Sequence, residues 1–251
     1  LGLSLAAYHE RSENAEDEME IWQSLLDEKD PELNAEQAHE RLVSLYGGPL
    51  ADPIEMVRHA AALFAITPQS DAHLENLRGV FQGSPELLKP AIETLETELE
   101  SAQPEVRRNC RLVLATEAQS LLQNNEAIGL IERMLEDNPN DLEVISRLEE
   151  ILREEQEWEQ LHDVMRNHAE IAPSPEEQHK IRMELANVLR HAMGDAKGSE
   201  EVLLLILETE PSHHEAFVEL RDIRTEHEDY PGLTEILERR LYVCSADEKT
   251  S

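Results

Sequence analysis

Pro139-NDLEVISRLEEILREEQEWEQLHDVMRNHAEIAPS-Pro175 is the stretch on which the fold turns. Leu142, Ile145, Leu148, Ile151 and Leu152 form one apolar stripe. Leu161, Val164 and Met165, with His168, form a second. Steps of three and four residues bring side chains onto one face of an α-helix, whereas a strand would alternate. The polar run Arg153–Glu157 separates the stripes, so the stretch predicts two helices joined by a tight reversal. A proline bounds it at each end. Proline cannot donate to the preceding helical turn and clashes with it, so it is expected to close a second helix.

The bounding prolines belong to a ladder. Pro31, Pro68, Pro104, Pro139, Pro175 and Pro211 are separated by 37, 36, 35, 36 and 36 residues. A fixed period in this range marks a stack of similar supersecondary units. Leu42, Leu77, Leu112, Leu148, Leu185 and Leu220 repeat in the same rhythm and are expected in the core. A shift of 72 residues lays Pro139, Glu143, Leu148, Ile151, Glu154 and Leu161 on Pro211, Glu215, Leu220, Ile223, Glu226 and Leu233, and Trp158 on Tyr230. A shift of 180 lays Leu5-Ala6 on Leu185-Ala186, placing that dipeptide inside a first helix. One helix pair cannot bury its stripe alone, but stacked pairs share a continuous core.

Local signals agree. Asn140 with Glu143, Ser212 with Glu215 and Asn34 with Gln37 have capping-box spacing. Pro175 after Ser174 suits a first helical position. Gly47-Gly48-Pro49, Gly83-Ser84-Pro85, Gly194-Asp195 and Pro231-Gly232 mark turns. The run Val202–Leu207 reads as a fully buried second helix. Aromatic content of 4% and only 9 glycines argue against an all-β chain.

The units resemble tetratricopeptide repeats (TPRs) of a degenerate, roughly 36-residue form. Leu185-Ala186, Gly194-Asp195, Ile206-Leu207 and Pro211 match a common form of the pattern, and Phe217 and Leu220 occupy its first-helix aromatic and leucine positions. Arg221, Leu233 and Arg240 depart from it, each standing where a small residue is usual. A related two-helix solenoid would satisfy the same period. The resemblance implies an all-α solenoid of antiparallel helix pairs forming a TPR-like superhelix, with a groove lined by first helices. The expected organisation is a single array over residues 1–251, with units 32–68, 69–104, 105–139, 140–175, 176–211 and 212–246 after a partial unit 1–31. Leu1 is not an initiator methionine, and the 72 shift starts a further unit at Asp247-Glu248. The reading is therefore a fragment of a longer array, which would expose unfinished ends and favour end-to-end self-association.

Formal net charge is −33, from 55 acidic against 22 basic residues. That balance opposes nucleic-acid binding, which needs a positive footprint, and opposes anionic membrane surfaces. The apolar runs Ala60–Ile66 and Val202–Leu207 are too short to span a bilayer, so no direct membrane insertion is expected. The compartment is left open, with a soluble, cytoplasmic protein favoured. Three readings of the acidity stand: a basic protein or peptide partner attracted over long range, a solvated helical surface filled with glutamate, or adaptation to salt.

Little in the chain points to chemistry. Cys110 and Cys244 lack a CxxC partner and lie almost four units apart, so both are expected as buried free thiols. His213-His214-Glu215 lacks the i, i+4 histidine pair of a helical metal site and fits a helix start. His39, His59 and His73 fall on different expected helices with nothing in the sequence to join them. No catalytic residue, cofactor or metal site is assigned. Counting from each proline places Arg108 and Arg111, Glu143 and Ser146, His179 and Arg182, and Glu215 and Asp222 toward the groove. Arg108, Arg111 and Arg182, with His179 beside them, are the candidate partner-binding residues. Arginines there could hold a carboxylate through bidentate bonds or simply balance neighbouring glutamates. The lysine–asparagine clamp that TPR proteins use for a peptide C-terminus has no counterpart here. The expected function is a non-catalytic scaffold that binds a protein or peptide along an extended repeat surface. The alternative is a structural or regulatory repeat segment of a larger multidomain protein whose activity lies elsewhere.

Overall fold

The computed structural model describes residues 14–27 and 34–250, with side chains through residue 242. Leu5-Ala6, Pro31 and the thiol of Cys244 lie outside the described residues. Every regular element described is helical. The chain divides into two compact units, Leu1–Pro139 and Asn140–Ser251.

The first unit contains α1 (Ala15–Asp27), α2 (Ala35–Gly47), α3 (Pro53–Ile66), α4 (Asp71–Gly83), α5 (Leu88–Leu99), α6 (Pro104–Ser120) and α7 (Asn124–Asp137). The second contains α8 (Leu142–Glu154), α9 (Trp158–Ile171), α10 (Pro175–Asn187), α11 (Ala196–Thr209), α12 (His214–Glu226) and α13 (Tyr230–Thr250). In the second unit consecutive helices pack on one another; in the first they do so from α1 to α4 and from α5 to α7, while α5 packs on α3, which also touches α2 and α4. Short connections between touching helices make the pairs α2/α3, α6/α7, α8/α9, α10/α11 and α12/α13 antiparallel. The architecture is all-α and TPR-like. α13 runs without interruption through Asp247 and Glu248, where the sequence register opens a further unit.

Burial follows the apolar stripes. Leu42, Leu77 and Leu220 are fully buried, and Leu148 and Leu185 nearly so. Such a leucine contributes about 1.5–3 kcal/mol over an exposed one. Leu112 is the exception and is only half-buried. On α6 the core stripe runs instead through Cys110, Leu114 and Ala118, two residues out of phase, which turns Leu112 to the other face. In α3 the run Ala60-Ala61-Ala62-Leu63-Phe64 is buried on every side, because alanines let neighbouring helices approach closely. In α11 only Leu203, Ile206 and Leu207 of the apolar run are buried, while Leu205 is 47% exposed. That helix is amphipathic, not fully buried.

The prolines act in two ways. Pro68, Pro139 and Pro211 follow the terminal residues Thr67, Asn138 and Glu210 of α3, α7 and α11. Those three residues have φ −130°, −143° and −134°, the extended backbone that a following proline imposes. Pro104 and Pro175 instead open α6 and α10 at the first helical position. There a missing N–H costs nothing, so these two prolines start a helix and do not close one.

The opposite reversal, inside each pair, has its own device. Ala51, Leu122, Gln156, Gly194 and Glu228 have φ between 51° and 70° and occupy five of these turns. After α4 the chain takes a 3₁₀ turn, Pro85–Leu87, instead. Four of the five left-handed residues carry a side chain, so the sequence has no glycine to announce them.

Caps also correct the reading in detail. Asn34 accepts from Gln37 N–H and Ser174 from Glu177 N–H, as expected. At α8 the cap is Asp141, accepting from Val144 N–H, not Asn140. At α12 it is His213, whose Nδ1 accepts from Ala216 N–H at 3.2 Å, not Ser212.

Candidate partner-binding groove

In the second unit, α8, α10 and α12 line three adjoining pockets of about 460, 460 and 440 Å³. They share Glu184, and pairs of them share Arg153, Lys180, Met183 and Glu215, so together they form one groove along α10. Its lining brings Glu149, Glu150, Glu176, Glu177, Glu184, Glu210, Glu215 and Glu219 against only Arg153 and Lys180. Arg153 Nη2 lies 3.6 Å from Glu184, and Arg190 binds Glu219 at 2.7 Å, so part of the charge is met within the fold. Glu149 is buried and bonds His168 Nδ1 at 2.8 Å. Burial pushes its carboxyl above the ordinary range, and the bond to His168 opposes that rise.

His179 is 6% exposed. Its Nε2 lies 2.8 Å from Thr209 Oγ1 and its Nδ1 3.1 Å from Glu210 Oε2. The His213 ring meets it edge-on at 5.7 Å. His179, Glu210 and His213 could bring ligand atoms within 4.8 Å of one another. The Nδ1 lone pair of His213 is already used by the α12 cap, so ligation through its other nitrogen would require a protonated Nδ1 and break that bond. Arg182 is half-buried one turn along α10 and forms no ion pair among the described residues. Ser146 and Glu215 line the groove, whereas Asp222 bonds Arg221 at 2.6 Å.

The other two candidate arginines lie in the first unit. Arg111 is buried on α6. Its guanidinium bonds Glu96 Oε1 and Oε2 at 2.9 and 2.7 Å, Asp137 Oδ2 at 2.9 Å and the Arg133 carbonyl at 3.2 Å. It therefore clasps α5 and α7 to α6, and its donors are engaged inside the fold. The bond to Glu96 raises the Arg111 pKa above its ordinary value. Desolvation opposes ionisation of Asp137, but Arg107 holds its carboxyl below the usual range. Arg108 is half-buried and has an interaction of its own.

Cys110 is fully buried, and burial pushes its thiol up to about 11. His39 and His59, which the sequence had no means of joining, meet across α2 and α3 with Nδ1 atoms 3.0 Å apart. Tyr46 stacks on His59 at 5.5 Å. Burial lowers both histidines to about 4, with the neighbouring ring acting further on His39 and Arg58 on His59.

Among the described residues no helix is long and apolar enough to cross a membrane. No protein-family model and no curated protein matches the chain. Among solved structures it is similar to the TPR domain of P58(IPK), 14% identical with a TM-score of 0.43 over 98% of this chain and 70% of that one. It is similar to a kinesin light chain of Podosopora anserina with nearly identical TPR-like repeats, 17% identical with a TM-score of 0.41 over 78% and 97%. PilF of Pseudomonas aeruginosa is 17% identical with a TM-score of 0.32 over 90% and 96%. The TPR-like character rests on the helix pairs themselves.

Proposed function

We propose that the chain is a non-catalytic protein-interaction scaffold whose second unit takes an extended, lysine- or arginine-bearing segment of a protein partner. The observation that carries this is the glutamate-lined groove along α10, which is long, open and only partly neutralised by Arg153 and Lys180. A basic segment would replace solvent around those carboxylates and be steered to them by the negative field. In this reading Arg182 would orient the bound segment, and His179, with both ring nitrogens engaged by Thr209 and Glu210, would add little attraction.

The test uses a fluorescein-labelled peptide alternating lysine with glycine and serine, titrated at low and moderate salt. Glu176→Lys with Glu215→Lys in the groove is compared with Glu132→Lys and Glu136→Lys on α7 of the first unit, an equal change in charge. The groove pair should weaken binding at least tenfold, and the α7 pair much less. Added salt should weaken wild-type binding through screening. Equal losses from both pairs would reduce the effect to net charge and overturn the groove as the site.

A further inference from the structure

In the first unit, Glu36 and Glu40 stand one turn apart on α2, and His73 meets them from α4. Glu36 and His73 are 37 residues apart, the spacing of Pro31 and Pro68, so adjacent repeats bring matching positions together. The three side chains each offer one ligand atom, all within 4.8 Å of one another. His73 is 8% exposed. Its Nδ1 lies 2.6 Å from Thr67 Oγ1, and that hydroxyl donates to the Leu63 carbonyl at 3.0 Å. A hydroxyl has one hydrogen, so Thr67 accepts from His73 Nδ1–H. This tautomer leaves the Nε2 lone pair facing the carboxylates, 3.7 Å from Glu40 Oε1 and without a hydrogen bond among the described residues. A lone pair aimed at anionic oxygens is repulsive unless a cation, a proton or a bridging water lies between them, and a metal cation uses the lone pair and both carboxylates at once. Holding a ligating imidazole by the N–H on its far side is also how metal-bound histidines are oriented.

We propose that Glu36, Glu40 and His73 bind a divalent transition-metal ion of the zinc type, linking α2 to α4 across adjacent repeats. One imidazole nitrogen and two carboxylate oxygens are a suitable donor set, with water completing the coordination. Zinc–ligand distances of about 2.0–2.2 Å put neighbouring ligand atoms roughly 3.3 Å apart. The Glu40 side chain is 55% exposed and free to rotate the short way from 3.7 Å. The competing occupant is a proton, which would make His73 an imidazolium paired with Glu40.

The probe is ZnCl₂, titrated into the full chain by calorimetry at pH 7.5 with excess MgCl₂ to occupy nonspecific acidic sites. One Zn²⁺ per chain should bind with a dissociation constant in the micromolar range or below. Glu40→Gln and Glu36→Gln should each weaken it at least tenfold while leaving the far-UV circular dichroism unchanged. Imidazole NMR should show His73 protonated at Nδ1 alone and its Nε2 resonance shifted by zinc. His73→Gln should abolish the site, but it touches the core, so the two surface variants decide. The proposal is overturned if wild type and both glutamate variants give the same isotherm. A His73 that carries protons on both nitrogens and ignores zinc would overturn it equally.

Discussion

Acidification should destabilise the first unit through His39 and His59. Their rings are held with Nδ1 atoms 3.0 Å apart between α2 and α3, and there is room for one proton there, not two. Each ring has a folded pKa of about 4 against 6.5 in the unfolded chain. The unfolded state therefore binds more protons throughout that window. The stabilisation is complete above about pH 6.5 and is lost as pH falls toward 4. Between pH 7 and pH 5 the loss is about 2 kcal/mol per ring, or about 4 kcal/mol for the pair. That is a large part of a typical domain stability of about 5–15 kcal/mol. Protonating carboxylates also relieves the self-repulsion of a chain at −33, so the raw pH profile mixes two effects. A comparison with His39→Leu/His59→Leu separates them, because the carboxylates are common to both proteins. Trp22 is buried against α2 and reports this unit, so the assay is urea unfolding followed by Trp22 fluorescence in a Trp158→Phe background. Wild type should lose about 4 kcal/mol relative to the double variant between pH 7 and pH 5. Parallel profiles, or a wild type that gains on the variant as pH falls, would refute the reasoning.

Arg111→Ala should cost about 2–4 kcal/mol, because it leaves Glu96 and Asp137 without their buried partner, and Arg111→Lys should recover only part of that since lysine lacks the fork; equilibrium urea unfolding checks both. Leu122→Gly should raise stability by about 0.5–1 kcal/mol by relieving a left-handed residue. Leu122 has φ 59° and is 87% exposed, so no packing is lost, and a shift in urea midpoint reads the gain.

The all-α, paired-helix character was legible because it is carried by periodicities that survive in one dimension. The stripes of α8 and α9 and the proline ladder needed no partner to be read. The candidate site was legible only in part. Positions counted from each proline include Ser146, His179 and Glu215, which line the candidate groove, but not Glu149, Arg153 and Glu184, which share the same surface. In a chain so rich in glutamate no single one carries a signal. The offset of one residue at the α8 and α12 caps has a local cause: Asn140 and Ser212 are good caps by type, but the next residue reaches the N–H groups in each case.

Sequence alone determined that this chain is a run of helix pairs, because helical stripes and proline interruptions depend on neighbours within a turn or two. Tertiary structure alone decided the fate of individual polar groups. Arg111 reads as a groove arginine by register, yet Glu96 and Asp137, 15 and 26 residues away, draw it into a clasp. His39 and His59 become a pair, and His73 turns toward Glu36 and Glu40, only once adjacent helices close. Stacking places residues about one repeat apart within a few ångströms, and the strength of a polar contact depends on that distance and on burial, neither of which a linear spacing contains.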